Sequence, residues 1–265
     1  MTPLGKRERP MDLKLSGRRV LITGGSKGIG AACARVFLAE GCSVVLVARD
    51  AARLAATASA LGSANRVMTH AADLSSAAER TALAAAFPDI DILVNNAGAI
   101  PAGGLLDLSM DTWEQAWALK VMGYIHLTQI HLAAMKDRGT GVIVNIIGGA
   151  GRCPRYDYIC GGTGNAALMA FTGAVGGRSV DWGVRVFGIN PAQTRTDRII
   201  SLSRTRAKIR FGDEERWEEM LTGLPLNRLI EPEEIANAAA FLSSPACGYV
   251  SGTVLDVDGG GAYRS

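Results

Sequence analysis

Short runs of Val, Ile and Leu alternate along this chain with longer stretches in which apolar residues recur at helical spacing. The runs cover residues 19–23, 43–48, 66–70, 92–95, 141–147, 185–189 and 254–257, and several end in Gly or Asn. Their alternation with helical segments argues for βαβ units and a parallel sheet buried on both faces. Helical segments between them supply the crossovers that parallel strands need. The pattern predicts a doubly wound α/β domain: seven strands in a mostly parallel sheet, with helices on both faces.

In such a sheet ligands bind beyond the carboxyl ends of the strands, so the residues that follow each run are the ones to read. After the first run comes Thr23-Gly24-Gly25-Ser26-Lys27-Gly28-Ile29-Gly30, and then a helical pattern opening Ala31-Ala32-Cys33. Glycines here permit a tight turn and let backbone approach a pyrophosphate, which then faces the positive end of a helix. Ordinary loop glycines can also follow a strand, so this turn carries limited weight alone.

Composition narrows the alternatives. The 265 residues are 48% apolar, without repeats, linkers or low-complexity runs, and suit one domain. The formal charge of +3 is dispersed except near the N-terminus and over residues 195–216, so nothing marks a nucleic-acid-binding face. Five cysteines at Cys33, Cys42, Cys153, Cys160 and Cys247 form no metal-type spacing, and the odd count suits reduced thiols in a cytoplasmic protein. No export signal or membrane-spanning run is legible. Residues 1–10 read as a mobile extension ahead of a domain over 11–265, Met11 resembling a second natural start.

The turn's spacing, Thr-Gly-x-x-x-Gly-x-Gly, resembles that of the short-chain dehydrogenase/reductase family, and other motifs match it. They are Asp73-Leu74 after the third run, Asn95-Asn96-Ala97-Gly98 after the fourth and Asn190-Pro191-Ala192-Gln193-Thr194-Arg195-Thr196 after the sixth. Pro232-Glu233-Glu234-Ile235-Ala236 and the ending Val257-Asp258-Gly259-Gly260 complete the set. The resemblance spans residues 13–260 and implies a Rossmann fold, a nicotinamide cofactor, a small-molecule substrate and a homo-oligomer, tetramer or dimer. It implies that Thr23, Gly24, Gly25, Ser26, Lys27, Gly28, Ile29 and Gly30 cradle the pyrophosphate and that Asp73 and Leu74 hold the adenine. Asn96, Ala97 and Gly98 would floor the nicotinamide ribose, and Pro191, Thr194 and Thr196 would grip the carboxamide. The Asn-Asn-Ala-Gly turn could equally brace the central strands, and the two roles are compatible.

Cofactor choice turns on the 2′-phosphate. NAD specificity usually needs an acidic residue at the end of the second strand, whereas here the strand ends Val47-Ala48-Arg49. Arg49 and Lys27 can meet a phosphate, which favours NADP(H); the alternative is that both are solvated surface charges.

The family's chemistry needs Asn, Ser, Tyr and Lys, with Tyr and Lys one helical turn apart. Tyr exchanges a proton with the substrate oxygen while hydride moves, and the ammonium lowers the phenol pKa. Two stretches set the register here, residues 141–148 and Asn165-Ala166-Ala167-Leu168. They place Gly148 at the Ser position, Gly161 at the Tyr position and Asn165 at the Lys position, while Gly123 and Thr128 place Lys120 at the Asn position. No Lys lies between Lys136 and Lys208, so no shift of register restores a Tyr-x-x-x-Lys pair.

Lys120 and Asn165 thus occupy each other's expected places, and Tyr158, three residues before Gly161, could put its phenol into the space that glycine opens. Tyr158, Lys120 and Asn165 are the candidate catalytic set; each could also be an ordinary packing or surface residue. Tyr156 is a weaker candidate for the acid, and His126 and His131 read as ordinary helix residues. Arg152 and Arg155 after the fifth strand are the candidate substrate contacts. Together with the cations of a lid near 195–220, they suit an anionic substrate such as a carboxylate, phosphate or thioester of coenzyme A, unless the lid is merely solvated. The leading expectation is an NADP(H)-dependent carbonyl/alcohol oxidoreductase with a rearranged acid. A lyase, isomerase or decarboxylase on the same fold and a non-catalytic NADP(H) sensor are the alternatives.

Overall fold

A computed structural model describes residues 11–264, apart from the side chains of residues 198, 202, 205, 206 and 209. The extension expected over 1–10 lies outside the described residues. Seven strands, β1 (Arg19–Thr23), β2 (Ser43–Ala48), β3 (Val67–Ala71), β4 (Ile92–Asn95), β5 (Gly141–Ile146), β6 (Val184–Pro191) and β7 (Val254–Val257), form one sheet in the order β3-β2-β1-β4-β5-β6-β7. Every pair is parallel.

Eight α-helices connect them: α1 (Gly28–Ala39), α2 (Ala51–Leu61), α3 (Ala77–Ala86), α4 (Met110–Leu119), α5 (Val121–Arg138), α6 (Ile159–Ser179), α7 (Asp197–Phe211) and α8 (Pro232–Ser243). Successive strand residues point to opposite faces, so the central strands feed two cores. Val20, Ile22, Leu46, Val94 and Val144 meet Phe37 of α1 and Ile235 and Ala239 of α8. Leu21, Val45, Leu93 and Ile143 meet Leu83 of α3 and Leu127 and Met135 of α5. Burial on both faces is why the central strands β1, β2, β4, β5 and β6 are largely apolar, whereas the edge strands β3 and β7 are partly exposed.

The boundaries depart from the sequence reading where backbone bonds decide them. β3 is displaced by one residue. β6 runs on to Pro191, because Asn190 and Pro191 still pair with Asp256 and Val257 of β7. β5 stops at Ile146; Ile147 still donates to Ile189 O, and then Gly148, at φ +131°, turns the chain out of the sheet. The strand order reverses between β1 and β4, and a cleft of about 870 Å³ opens there at the carboxyl ends.

Candidate active site

The glycine turn is built around Thr23. Its hydroxyl accepts from the amides of Asn96 (2.8 Å) and Ala97 (3.0 Å) and reaches Val94 O, while the Asn96 side chain donates to Thr23 O at 2.9 Å. The Asn96-Ala97-Gly98 turn therefore braces β1 against β4 and also lines the cleft. Gly24 (φ +66°) and Gly28 (φ +54°) take left-handed conformations, and a Cβ on Gly30 would stand 2.8 Å from the carbonyl carbon of Gly24. Helix α1 begins with no side-chain cap and no acidic residue in its first turn. Its first amides are thus left to whatever occupies the cleft, an arrangement suited to a pyrophosphate.

Ser26, Lys27, Gly28 and Ile29 line the cleft with Gly24, Ala48, Arg49, Leu74, Ala97, Gly98 and Thr196. The Asp73 carboxylate accepts from the Ser75 amide (3.0 Å) and hydroxyl (2.8 Å), which hold its pKa below the ordinary value. Its neighbour Leu74 lines the cleft. Thr194 is buried and bonded to Ala192 O, whereas Thr196 caps α7 and faces the cleft, and Pro191 ends β6. Arg53, which sequence reasoning missed, adds a third cation beside Lys27 and Arg49. It follows Arg49 by four residues, and that spacing was the available signal; Asp50, the cap of α2 and 3.9 Å from Arg53, is the counter-charge.

At the other end of the site Lys120 sits at the junction of α4 and α5, and its ammonium donates to Ile147 O at 2.6 Å. Asn165 is 97% buried on α6 and donates to Gly148 O at 3.2 Å, while its Oδ1 has no partner. A Cβ on Gly148 would lie 2.9 Å from Asn165 Nδ2. The Asn165 amide thus fills the space beside Gly148 where the resemblance would put a serine side chain.

Helix α6 starts only at Ile159, so Tyr158 is its N-cap rather than part of its first turn. The phenol ring lies over Gly161, the third helical residue, with its hydroxyl 2.6 Å from where a Cβ would be. Around it pack Ile100, Leu108, Trp113, Trp117 and Cys160, an apolar wall that sequence reasoning did not identify because its members come from three segments. Burial within that wall pushes the Cys160 thiol pKa up.

The two candidate substrate arginines are engaged elsewhere. Arg152 pairs with Asp256 (3.2 Å) and donates to Val254 O, and Arg155 pairs with Asp157 (2.9 Å). The lid segment is α7 followed by short 3-10 turns over Glu214–Leu221. Arg195, Arg204 and Arg216 pair with Glu231, Glu215 and Glu219. His126 accepts from Arg80, and His131 is buried on α5. Among the described residues, no group of three or more His, Cys, Asp or Glu is placed to hold a metal ion, and no helix is long and apolar enough to cross a membrane.

The family profile of the short chain dehydrogenases matches residues 18–207. The chain belongs to that family. Galactitol 2-dehydrogenase (L-tagatose-forming) of Cereibacter sphaeroides is 33% identical over 251 residues, which cover 93% of this chain and 96% of that protein. The 7alpha-hydroxysteroid dehydrogenase of Escherichia coli K12 is also 33% identical, over 96% of this chain and 97% of its own. Among solved structures, L-sorbose reductase from Gluconobacter frateurii, complexed with NADPH and L-sorbose, superposes with a TM-score of 0.89 at 31% identity, covering 96% of this chain and all of the other. These short chain dehydrogenase relatives are oxidoreductases on small molecules, and their substrates range from polyols to steroids.

Proposed function

We propose that this protein is an NADP(H)-dependent carbonyl/alcohol oxidoreductase in which Tyr158 handles the proton and Lys120 is the neighbouring cation. The observation that carries the reading is that both vacated positions are refilled by polar groups. The Tyr158 phenol occupies the space at Gly161, and the Asn165 amide occupies the space at Gly148. Simple decay of an active site would not replace each lost group with another acid or donor.

Residues fit for the cofactor are in place: uncapped α1 amides for the pyrophosphate, and Lys27, Arg49 and Arg53 for a 2′-phosphate. When bound, NADPH supplies the hydride. The chain's own part is to hold the substrate carbonyl under the apolar wall, donate the Tyr158 proton to its oxygen and take it back in the reverse direction. An ammonium offers three donors, and the bond to Ile147 O uses one while fixing the charge at the end of β5. A cation held there favours the phenolate left behind.

The paired arginines leave less charge for an anionic substrate than the sequence suggests, so neutral and anionic carbonyls belong in the same screen. Stoichiometric NADPH oxidation with any ketone or keto acid of such a panel, abolished by Tyr158→Phe, is the expected result. Tight NADPH binding without turnover of any member would favour a sensor, and turnover without net NADPH consumption would favour a lyase or isomerase.

A further inference from the structure

The segment that delivers Tyr158 is fastened at three points. Gly103, in the loop after β4, donates its amide to Asp157 O at 2.8 Å and forms an isolated parallel bridge with Tyr158. Beside it the Tyr156 ring lies over Gly104: a Cβ there would come within 2.8 Å of Tyr156 Cζ. The Gly104 amide is meanwhile held by the Asp107 carboxylate at 2.8 Å. The third point is Gly161 under the phenol of Tyr158 itself. A few residues earlier the same loop contributes Gly98, Ala99, Ile100 and Pro101 to the cofactor cleft.

We propose that Tyr156, Gly104 and Gly161 are positioning residues for Tyr158, Tyr156 clamping the segment to the loop and Gly161 seating the phenol. The role of that phenol rests on the function proposed above; the clamp does not. A proton donor must stand within about 2.6–3.2 Å of its partner, and a side chain carried by a helix interior gets that placement from the helix. Tyr158 lies just outside α6, at φ −142° and ψ 35°. Contacts with neighbouring segments therefore share in its placement. Two of these exist only because a Cβ is missing, at Gly104 and at Gly161. A glycine inside a helix costs about 1 kcal/mol relative to alanine, so Gly161 is a local expense that the seat offsets. Tyr156 is 60% exposed and adds little to any core, which leaves the clamp as the role its ring performs.

The test uses the full chain labelled with 3-fluorotyrosine, with and without NADPH. Tyr158→Phe assigns the fluorine resonance of residue 158. That line should shift or broaden in both Tyr156→Ala and Gly161→Ala, because each frees or displaces the ring, and should stay in place in Tyr156→Phe, which keeps the clamp. The same two variants should lower kcat by about 10-fold or more while NADPH affinity, read by calorimetry, is unchanged, since neither residue lines the cleft. If Gly161→Ala does not fold, Gly104→Ala takes its place, since its added methyl expels the Tyr156 ring. The clamp is overturned if the line of residue 158 stays put in either variant. If instead Tyr158→Phe retains full turnover, the assignment of the acid falls, and the clamp is judged by the fluorine line alone.

Discussion

Lys120 and Asn165 donate to successive carbonyls at the end of β5, Nζ to Ile147 O at 2.6 Å and Nδ2 to Gly148 O at 3.2 Å. The two residues that the family resemblance reads as exchanged therefore converge on one turn of backbone. Lys120→Ala should lower turnover by something like 10²-fold, the low end for a group assisting acid/base catalysis, with a smaller effect on folding. Combined with Tyr158→Phe it should cost less than the product of the two, because groups acting as a unit are not additive. The exchange Lys120→Asn with Asn165→Lys should not rescue Tyr158→Phe, since position 161 still lacks a phenol. Steady-state kinetics of the four variants decides this; normal turnover in Lys120→Ala would remove the ammonium from the mechanism.

Replacing Lys27, Arg49 or Arg53 by Ala should weaken NADPH much more than NADH. A hydrogen bond to a charged group contributes about 1.5–3 kcal/mol, roughly 10- to 100-fold in Kd. Calorimetric titration that finds NADH bound as tightly as NADPH by the unaltered protein would reject NADP(H) preference.

Gly148 combines φ +131° with the close approach of Asn165 Nδ2, so Gly148→Ser should not restore a family-like serine. It should destabilise by about 1–3 kcal/mol and lower Tm by several degrees. Asn165→Ala should relieve part of that loss, and a double-mutant cycle in chemical denaturation measures the coupling. Additive effects would mean that the two side chains do not share the space.

His131 is 1% exposed, and burial, with the Arg138 charge adding to it, lowers its pKa from 6.5 to about 4. The unfolded chain therefore binds a proton near pH 6 that the folded chain refuses. Stability is complete above 6.5 and falls as pH drops toward 4, by up to roughly 3 kcal/mol at 1.36 kcal/mol per unit. Denaturation midpoints at pH 7.5 and 5 should differ less in His131→Gln than in the unaltered protein.

Family membership implies a symmetric oligomer, and large apolar side chains stand exposed on α4 and α5 (Met110, Met122) and near β7 (Tyr249, Leu255, Tyr263). Light scattering should report a dimer or tetramer at micromolar concentration; a monomer would contradict the expectation.

The periodicity of the chain was enough to determine the sheet, because strands buried on both faces must be apolar and must be separated by helices. The glycine turn, Asn96-Ala97-Gly98 and the cations at Lys27 and Arg49 were equally legible, since each belongs to a local motif tied to a strand end. The absence of Ser, Tyr and Lys from positions 148, 161 and 165 was also a fact of the sequence. What filled those positions depended on side chains arriving from elsewhere. That α6 begins at Ile159, making Tyr158 a cap whose ring folds back on Gly161, was decided by the bridge to Gly103 and the wall from α4. That Arg152 belongs to Asp256, 104 residues away, was invisible from its place after β5. Local spacing encodes backbone path and periodic burial, whereas the partner of a long polar side chain is chosen by whichever segment the closed fold brings within hydrogen-bond reach.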